Sequence, residues 1–244
     1  MKSFLTQSLL GAAAFLCISA ANASVVTIDF ENLDTSGAQF VPLMAGGDYV
    51  TQGNLFVQTQ DVNGGNGLVG RLSNGSDPTS CLSSVCPTGN SSNFLSVVND
   101  GLVHLGNFGG NLVFSSLDAA YIATPGNPAG STVFLAIEAD RDDGTFAAFY
   151  YALTGDGAFQ TITSSTVATG SLGGSGTLTS GTVTNMFIFS YFCNGSTGGC
   201  SNFSTNLGQF ALDNISFVPE PASLLLTALG LGAMGVVARR RRSV

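Results

Sequence analysis

Thr132-Val133-Phe134-Leu135-Ala136-Ile137-Glu138-Ala139-Asp140 and Thr145-Phe146-Ala147-Ala148-Phe149-Tyr150-Tyr151-Ala152-Leu153 flank Arg141-Asp142-Asp143-Gly144. Both runs mix β-branched and aromatic residues with small or polar ones, and Gly144 can take the positive φ that a tight reversal needs. The stretch reads as a β-hairpin. Outward from it, strands are expected at Val25 to Glu31, Leu55 to Gln60, Leu95 to Val98, Asn111 to Phe114, Ala119 to Ile122, Phe159 to Thr166, Thr182 to Phe192 and Gln209 to Phe217. About ten strands and no strong helix over residues 24–217 predict an all-β domain, an antiparallel β-sandwich of jelly-roll-like form. Phe210, Leu212 and Ile215 break strict alternation, which places a bulge near Asp213. Asn63 to Gly67, Ser73 to Ser92 and Thr169 to Gly181 are Gly/Ser/Thr-rich and read as long loops.

At 244 residues, with 9% charged and 32 glycines, the chain has room for one such domain plus export signals. Residues 1–23 have the order of a secretory signal: Lys2, an apolar Leu9 to Ile18, and a small-x-small cleavage site at Ala21-Asn22-Ala23. The mature chain is expected to begin at Ser24. An uncleaved N-terminal helix is the alternative, but the apolar run is short for a span and ends in a processing pattern.

Cys17 leaves with that signal, and the other four cysteines fall as two close pairs, Cys81/Cys86 and Cys193/Cys200. Three connectivities exist; easy closure of short loops favours two local bridges, as the oxidising space outside the inner membrane permits. A zinc site would need CxxC-like spacing and nearby histidines, whereas this chain has a single His104. Between residues 24 and 218 only Arg71 and Arg141 face fourteen acidic residues, a net charge of −12. So acidic a domain repels phosphate backbones and excludes nucleic acid as a partner; it suits a divalent cation or a neutral glycan.

Near the C-terminus stand Val218-Pro219-Glu220-Pro221-Ala222, an apolar run from Ser223 to Ala238, and Arg239-Arg240-Arg241-Arg242. The prolines lack amide donors and stop a strand, and 16 residues of helix span only about 24 Å, barely a bilayer core. The arginines are held on the cytoplasmic side, so the domain before Val218 lies outside. In this order and spacing, residues 218–244 resemble the PEP-CTERM sorting signals, with a transmembrane helix over 223–238. The resemblance implies recognition by an exosortase, removal of the tail near Pro219-Glu220-Pro221, and a Gram-negative host that makes exopolysaccharide, biofilm or floc. A plain tail anchor would instead keep the arginines.

Gln209, Phe210 and Asp213 also match a subgroup with a Gln-Phe-x-x-Asp motif before the tail. The last strand resembles that of secreted carbohydrate-binding-like jelly rolls, in which an acid there and one near the first strand share a structural calcium. That resemblance implies Asp29, Glu31 and Asp213 as calcium ligands, with nearby carbonyls completing the six to eight oxygens the ion takes; a turn-capping Asp213 among solvated acids is the other reading.

No catalytic constellation emerges. Glu138, Asp140, Asp142 and Asp143 miss the EF-hand order because Ala139 and Arg141 fall where acids belong. Glu138 and Asp140 would share one strand face rather than flank a cleft. His104 has no Gly-x-Ser-x-Gly partner. With Trp absent, Tyr49, Tyr121, Tyr150, Tyr151 and Tyr191 are the sugar-stacking candidates, and strand geometry lets only one of Tyr150 and Tyr151 lie on a given face. The expectation is a non-enzymatic surface or matrix protein associated with exopolysaccharide, with a glycan-binding face as its finer form; a secreted polysaccharide hydrolase or lyase is the alternative.

Overall fold

A computed structural model describes residues 24–32, 49–63, 67–81, 86–107, 112–124, 127, 130–155 and 157–219. The expected signal peptide over 1–23, the helix over 223–238, Glu220, Pro221 and Arg239 to Arg242 lie outside them. The domain over Val25–Val218 is one compact unit.

It is all-β, in two antiparallel sheets. The first contains β1 (Val26–Ile28), β4 (Gly70–Asn74), β5 (Asn93–Val97), β7 (Leu112–Tyr121), β10 (Gln160–Thr163) and β14 (Phe210–Pro219), in the order β10-β7-β14-β5-β4 with β1 also paired to β14. The second contains β2 (Tyr49–Gln52), β3 (Leu55–Gln60), β6 (Leu102–Asn107), β8 (Thr132–Arg141), β9 (Phe146–Ala152), β11 (Gly170–Gly174), β12 (Val183–Cys193) and β13 (Cys200–Ser201). Its order is β11-β9-β8-β12-β6-β3-β2, with β13 on β12. The inner faces share one apolar core: Leu72, Leu95, Phe114, Leu117, Phe210 and Phe217 from the first sheet meet Leu55, Leu105, Leu135, Ile137, Met186 and Ile188 from the second. That is a sandwich, the solution in which two half-apolar sheets bury their faces against each other.

The predicted hairpin is β8–β9, registered from Phe134↔Ala152 to Asp140↔Phe146, with Gly144 at φ 79°. The predicted bulge is also present. Phe210 and Leu212 point into the core, Ile215 and Phe217 do so again, and the extra residue between them is absorbed by Asn214 at φ 49°. On either side of it β14 changes partner, from Val97, Ser96 and Leu95 of β5 to Ile28, Thr27 and Val26 of β1. Both expected local disulfides, Cys81–Cys86 and Cys193–Cys200, are formed.

Several strands depart from expectation. Two expected strands, Asn111 to Phe114 and Ala119 to Ile122, merge into one, β7, which covers Leu112–Tyr121; Ile122 lies just past its end and Asn111 lies outside the described residues. Ser115 and Ser116 are polar but do not turn the chain. Phe159 to Thr166 shortens to β10, because Ser164 and Ser165 form a turn. The Gly-rich Thr169 to Gly181, expected as loop, contains β11. A Cβ at Gly170 would clash with the hydroxyl and ring edge of Tyr150, directly opposite on β9, so glycine lets that ring lie over the strand where propensity disfavours it. In β6 the same reason applies to Gly106, where a Cβ would fall within the ring of Phe56 on β3.

Phe217 is 2% exposed and joins the core where β14 holds β1. Phe217→Ala is expected to cost about 3–5 kcal/mol in denaturant unfolding of the processed protein, a cavity penalty.

Candidate functional site

Most of the residues that sequence singled out gather in three places: a polar knot on β14, the outer face of the second sheet, and the C-terminal end of β14. In the knot Asp213 is 1% exposed. Its Oδ2 accepts hydrogen bonds from Asn90 Nδ2 at 2.6 Å and Ser92 Oγ at 3.2 Å, and its Oδ1 from the Asn214 amide at 2.7 Å. Asn214 Nδ2 in turn donates to Asp118 Oδ2 at 2.9 Å, and Thr161 Oγ1 to Asp118 Oδ1 at 2.6 Å. Burial drives the Asp213 carboxyl up to about 6, with Asp118 adding to the shift and the three donors opposing it.

The other two residues put forward for calcium serve different partners. Glu31 Oε1 accepts from the Asn93 amide at 2.9 Å, while Asp29 Oδ1 accepts from Gln52 Nε2 at 3.1 Å and from the Glu31 amide at 3.2 Å. Among the described residues no group of three or more His, Cys, Asp or Glu is placed to hold a metal ion. The three acids therefore do not converge: each carboxylate is directed to protein donors that lie far from it in sequence or in its own turn. Of the Gln-Phe-x-x-Asp residues, Gln209 bonds the Asn206 carbonyl at 3.2 Å, Phe210 is core and Asp213 is the knot.

The outer face of the second sheet carries a cavity of about 430 Å³ lined by Phe134, Tyr150, Thr169, Leu172, Tyr191, Cys193 and Cys200. Strand alternation builds it. Phe134 on β8, Tyr150 on β9 and Tyr191 on β12 point outward and are half-buried, while Leu135, Tyr151 and Phe192 point into the core. Phe134 and Tyr191 are directly cross-strand, Tyr150 faces Ala136, and the Phe134 and Tyr150 rings meet edge to face at 5.5 Å. The Cys193–Cys200 bridge, between paired residues of β12 and β13, makes one wall; Leu172 and Thr169 make the other. Of the adjacent tyrosines, Tyr150 is the one in the trough. Tyr121 is buried, and exposed Tyr49 lies on β2 at the far side of the sheet.

Glu138 and Asp140 share the outward face of β8, as expected. Partial burial and the Asp140 charge hold Glu138 above the usual carboxylate range; burial and Glu138 raise the Tyr191 hydroxyl. Asp143 belongs to the turn, accepting from the Thr145 amide and hydroxyl at 2.8 and 2.7 Å. Arg141 is buried beneath the hairpin, donating from Nη1 to Thr145 Oγ1 and the Ser175 carbonyl and from Nη2 to the Thr177 carbonyl. Arg71 is buried as well. No other Lys or Arg occurs between residues 24 and 218, so both cationic side chains of the domain are internal. His104 Nε2 bonds Asn185 Oδ1 at 3.0 Å, and its ring stacks on Phe187 at 4.7 Å.

At the third place, β14 runs to Pro219, and the family model of the PEP-CTERM protein-sorting motif matches residues 217–242. The chain carries a PEP-CTERM sorting motif. Such a motif marks an exported chain that passes through the membrane and is processed by exosortase. Here the motif begins inside the folded domain, since its first residue, Phe217, is a core residue paired with Val26. Neither a curated protein nor a solved structure matches the chain. Sequence reading missed the trough, because its aromatics lie on three strands and only the register brings them together.

The raised Asp213 carboxyl has a signed consequence. Its folded value of about 6 exceeds an unfolded value of ~4, so the folded state holds the proton more tightly and this group's contribution to stability is lost as pH rises from ~4 to ~6. In thermal unfolding across that range, the stability advantage of the wild type over Asp213→Asn is expected to be largest near pH 4 and to shrink by pH 6.

Proposed function

We propose that this chain is a non-enzymatic cell-surface or extracellular-matrix protein, delivered by exosortase, whose trough binds a neutral glycan of the surrounding exopolysaccharide. The observation that carries the reading is the trough itself: Phe134, Tyr150 and Tyr191 offer aromatic surface beside the Thr169 hydroxyl on a sheet that exposes no cationic side chain. Aromatic rings bury the apolar C–H faces of pyranoses while hydroxyls and carboxylates bond their rims. A uronate or phosphate polymer would meet only like charge, in a domain of net −12 with both arginines internal. The non-enzymatic reading is supported by Glu138 and Asp140 standing two apart on one strand face, an arrangement unlike paired carboxyls that flank a scissile bond.

Delivery and binding are tested separately. Intact mass of the protein recovered from its host is expected to show a chain starting at Ser24 and lacking Arg239 to Arg242; a mass that retains the arginines refutes exosortase processing and leaves a tail anchor. The recovered protein is expected to co-sediment saturably with the host's neutral exopolysaccharide. Tyr150→Ala and Tyr191→Ala should each weaken retention about three- to tenfold, the scale of one lost aromatic contact, with the unfolding midpoint as control. Absence of retention in the wild type refutes the glycan reading.

A further inference from the structure

The trough is one end of a longer aromatic row. Along β12, Phe187, Phe189 and Tyr191 alternate with core residues and share the outward face. Phe189 lies 5.4 Å from Tyr191 between ring centroids. From Phe187 the row turns across the sheet: His104 of β6 stacks on Phe187 at 4.7 Å with planes 14° apart, and Phe56 of β3 meets His104 edge-on at 5.0 Å. The register requires this continuity, since Phe187 is paired with His104 and His104 with Gln58, two residues from Phe56.

The two ends of the row are built alike. Tyr150 at the trough lies across Gly170 of the neighbouring strand, and Phe56 at the other end lies across Gly106 of its neighbour; a Cβ at either glycine would clash with the ring edge. Each glycine lets a ring lie over the sheet instead of standing beside a neighbouring side chain. Amide groups border the Phe56 end: Asn185 bonds His104 Nε2, and Gln60 Nε2 lies 3.5 Å from His104 Nδ1 and donates to Gln58 at 2.7 Å.

Resting on the reading of the trough as a glycan site, we infer that the Phe56–His104–Phe187 patch is a second subsite of the same binding face, and that the ligand is a linear neutral polysaccharide lying across the strands. Strands β9, β8, β12, β6 and β3 are consecutive in the sheet, so the row crosses four spacings of about 4.8 Å each while stepping four residues, about 13 Å, along β12 from Tyr191 to Phe187; it runs obliquely over the strands, long enough for several sugars of an extended chain. The trough takes only the sugars over β9, β8 and β12. The patch engages those that continue toward β3, with ring surface for the sugar faces and amides for the hydroxyls. An open row of this kind holds the interior of a polymer and does not require a chain end.

The test is calorimetric titration of the processed protein with size-fractionated oligosaccharides cut from the host's neutral exopolysaccharide. For the wild type, affinity should rise at least about tenfold between fragments long enough to fill the trough and fragments long enough to reach Phe56. Phe187→Leu keeps apolar volume without a ring, and Gly106→Ala displaces the Phe56 ring while removing no aromatic. Both should abolish the gain for long fragments and leave short-fragment affinity unchanged, whereas Tyr150→Ala should weaken both. Equal wild-type affinity for short and long fragments, or variants that keep the full gain, would overturn the second subsite and leave the trough standing. Failure of every fragment to bind would overturn the trough reading and this inference with it.

Discussion

The buried carboxylate of Asp213 holds the point on which the first sheet turns. Strand β14 pairs with β5 before this residue and with β1 after it, and the exchange requires one residue more than a regular strand would use. Asn214 takes up the extra residue in a left-handed conformation. That leaves amides and side chains at the bulge without ladder partners, and Asp213 serves them: one oxygen takes the Asn214 amide and the other takes Asn90 and Ser92 from the segment leading into β5. Without the bulge, Ile215 and Phe217 would face outward and β1 would lose the apolar surface it packs on. The same carboxylate is costly to ionise where it sits, and the structure balances burial against three donors.

Much of this was legible from local pattern. The β8–β9 hairpin announces itself through its turn, the bulge through the broken alternation of Phe210, Leu212 and Ile215, the disulfides through short spacing, and the sorting motif through three features in order. The residues that Asp213 serves were not legible, because Asn90 lies 123 positions away in a Gly/Ser/Asn-rich stretch whose composition says only loop. Calcium ligation by Asp29, Glu31 and Asp213 fitted their places in the first and last strands. Nearness of strands is weaker than convergence of side chains, however, and these carboxylates are directed to Gln52, Asn93 and Asn90 respectively.

The binding face was hidden for a related reason. Gly170 and Gly106 weaken the strand signal of β11 and β6 when read along the chain, and their role becomes visible only across it, where each receives an aromatic ring from the next strand. Tyr150 and Phe56 therefore count twice: they make the outer surface, and they supply the side-chain packing that the glycines lack. A composition without Trp conceals a row of aromatics because the row is assembled from β3, β6, β12, β8 and β9, with one or a few residues from each.

Register also fixes where the sorting motif begins in the domain. Val26 and Phe217 are paired, so the chain enters and leaves the sandwich at the same place. Phe217 packs with Val183 and Met186 at the start of β12, while Tyr191 and Cys193 of the trough lie at the other end of that strand. Eleven residues at about 3.3 Å each separate the two ends by roughly 30 Å. The sorting motif begins at Phe217 itself, within the domain. Within the domain, therefore, the trough lies about a strand's length from Phe217, the residue at which the sorting motif begins.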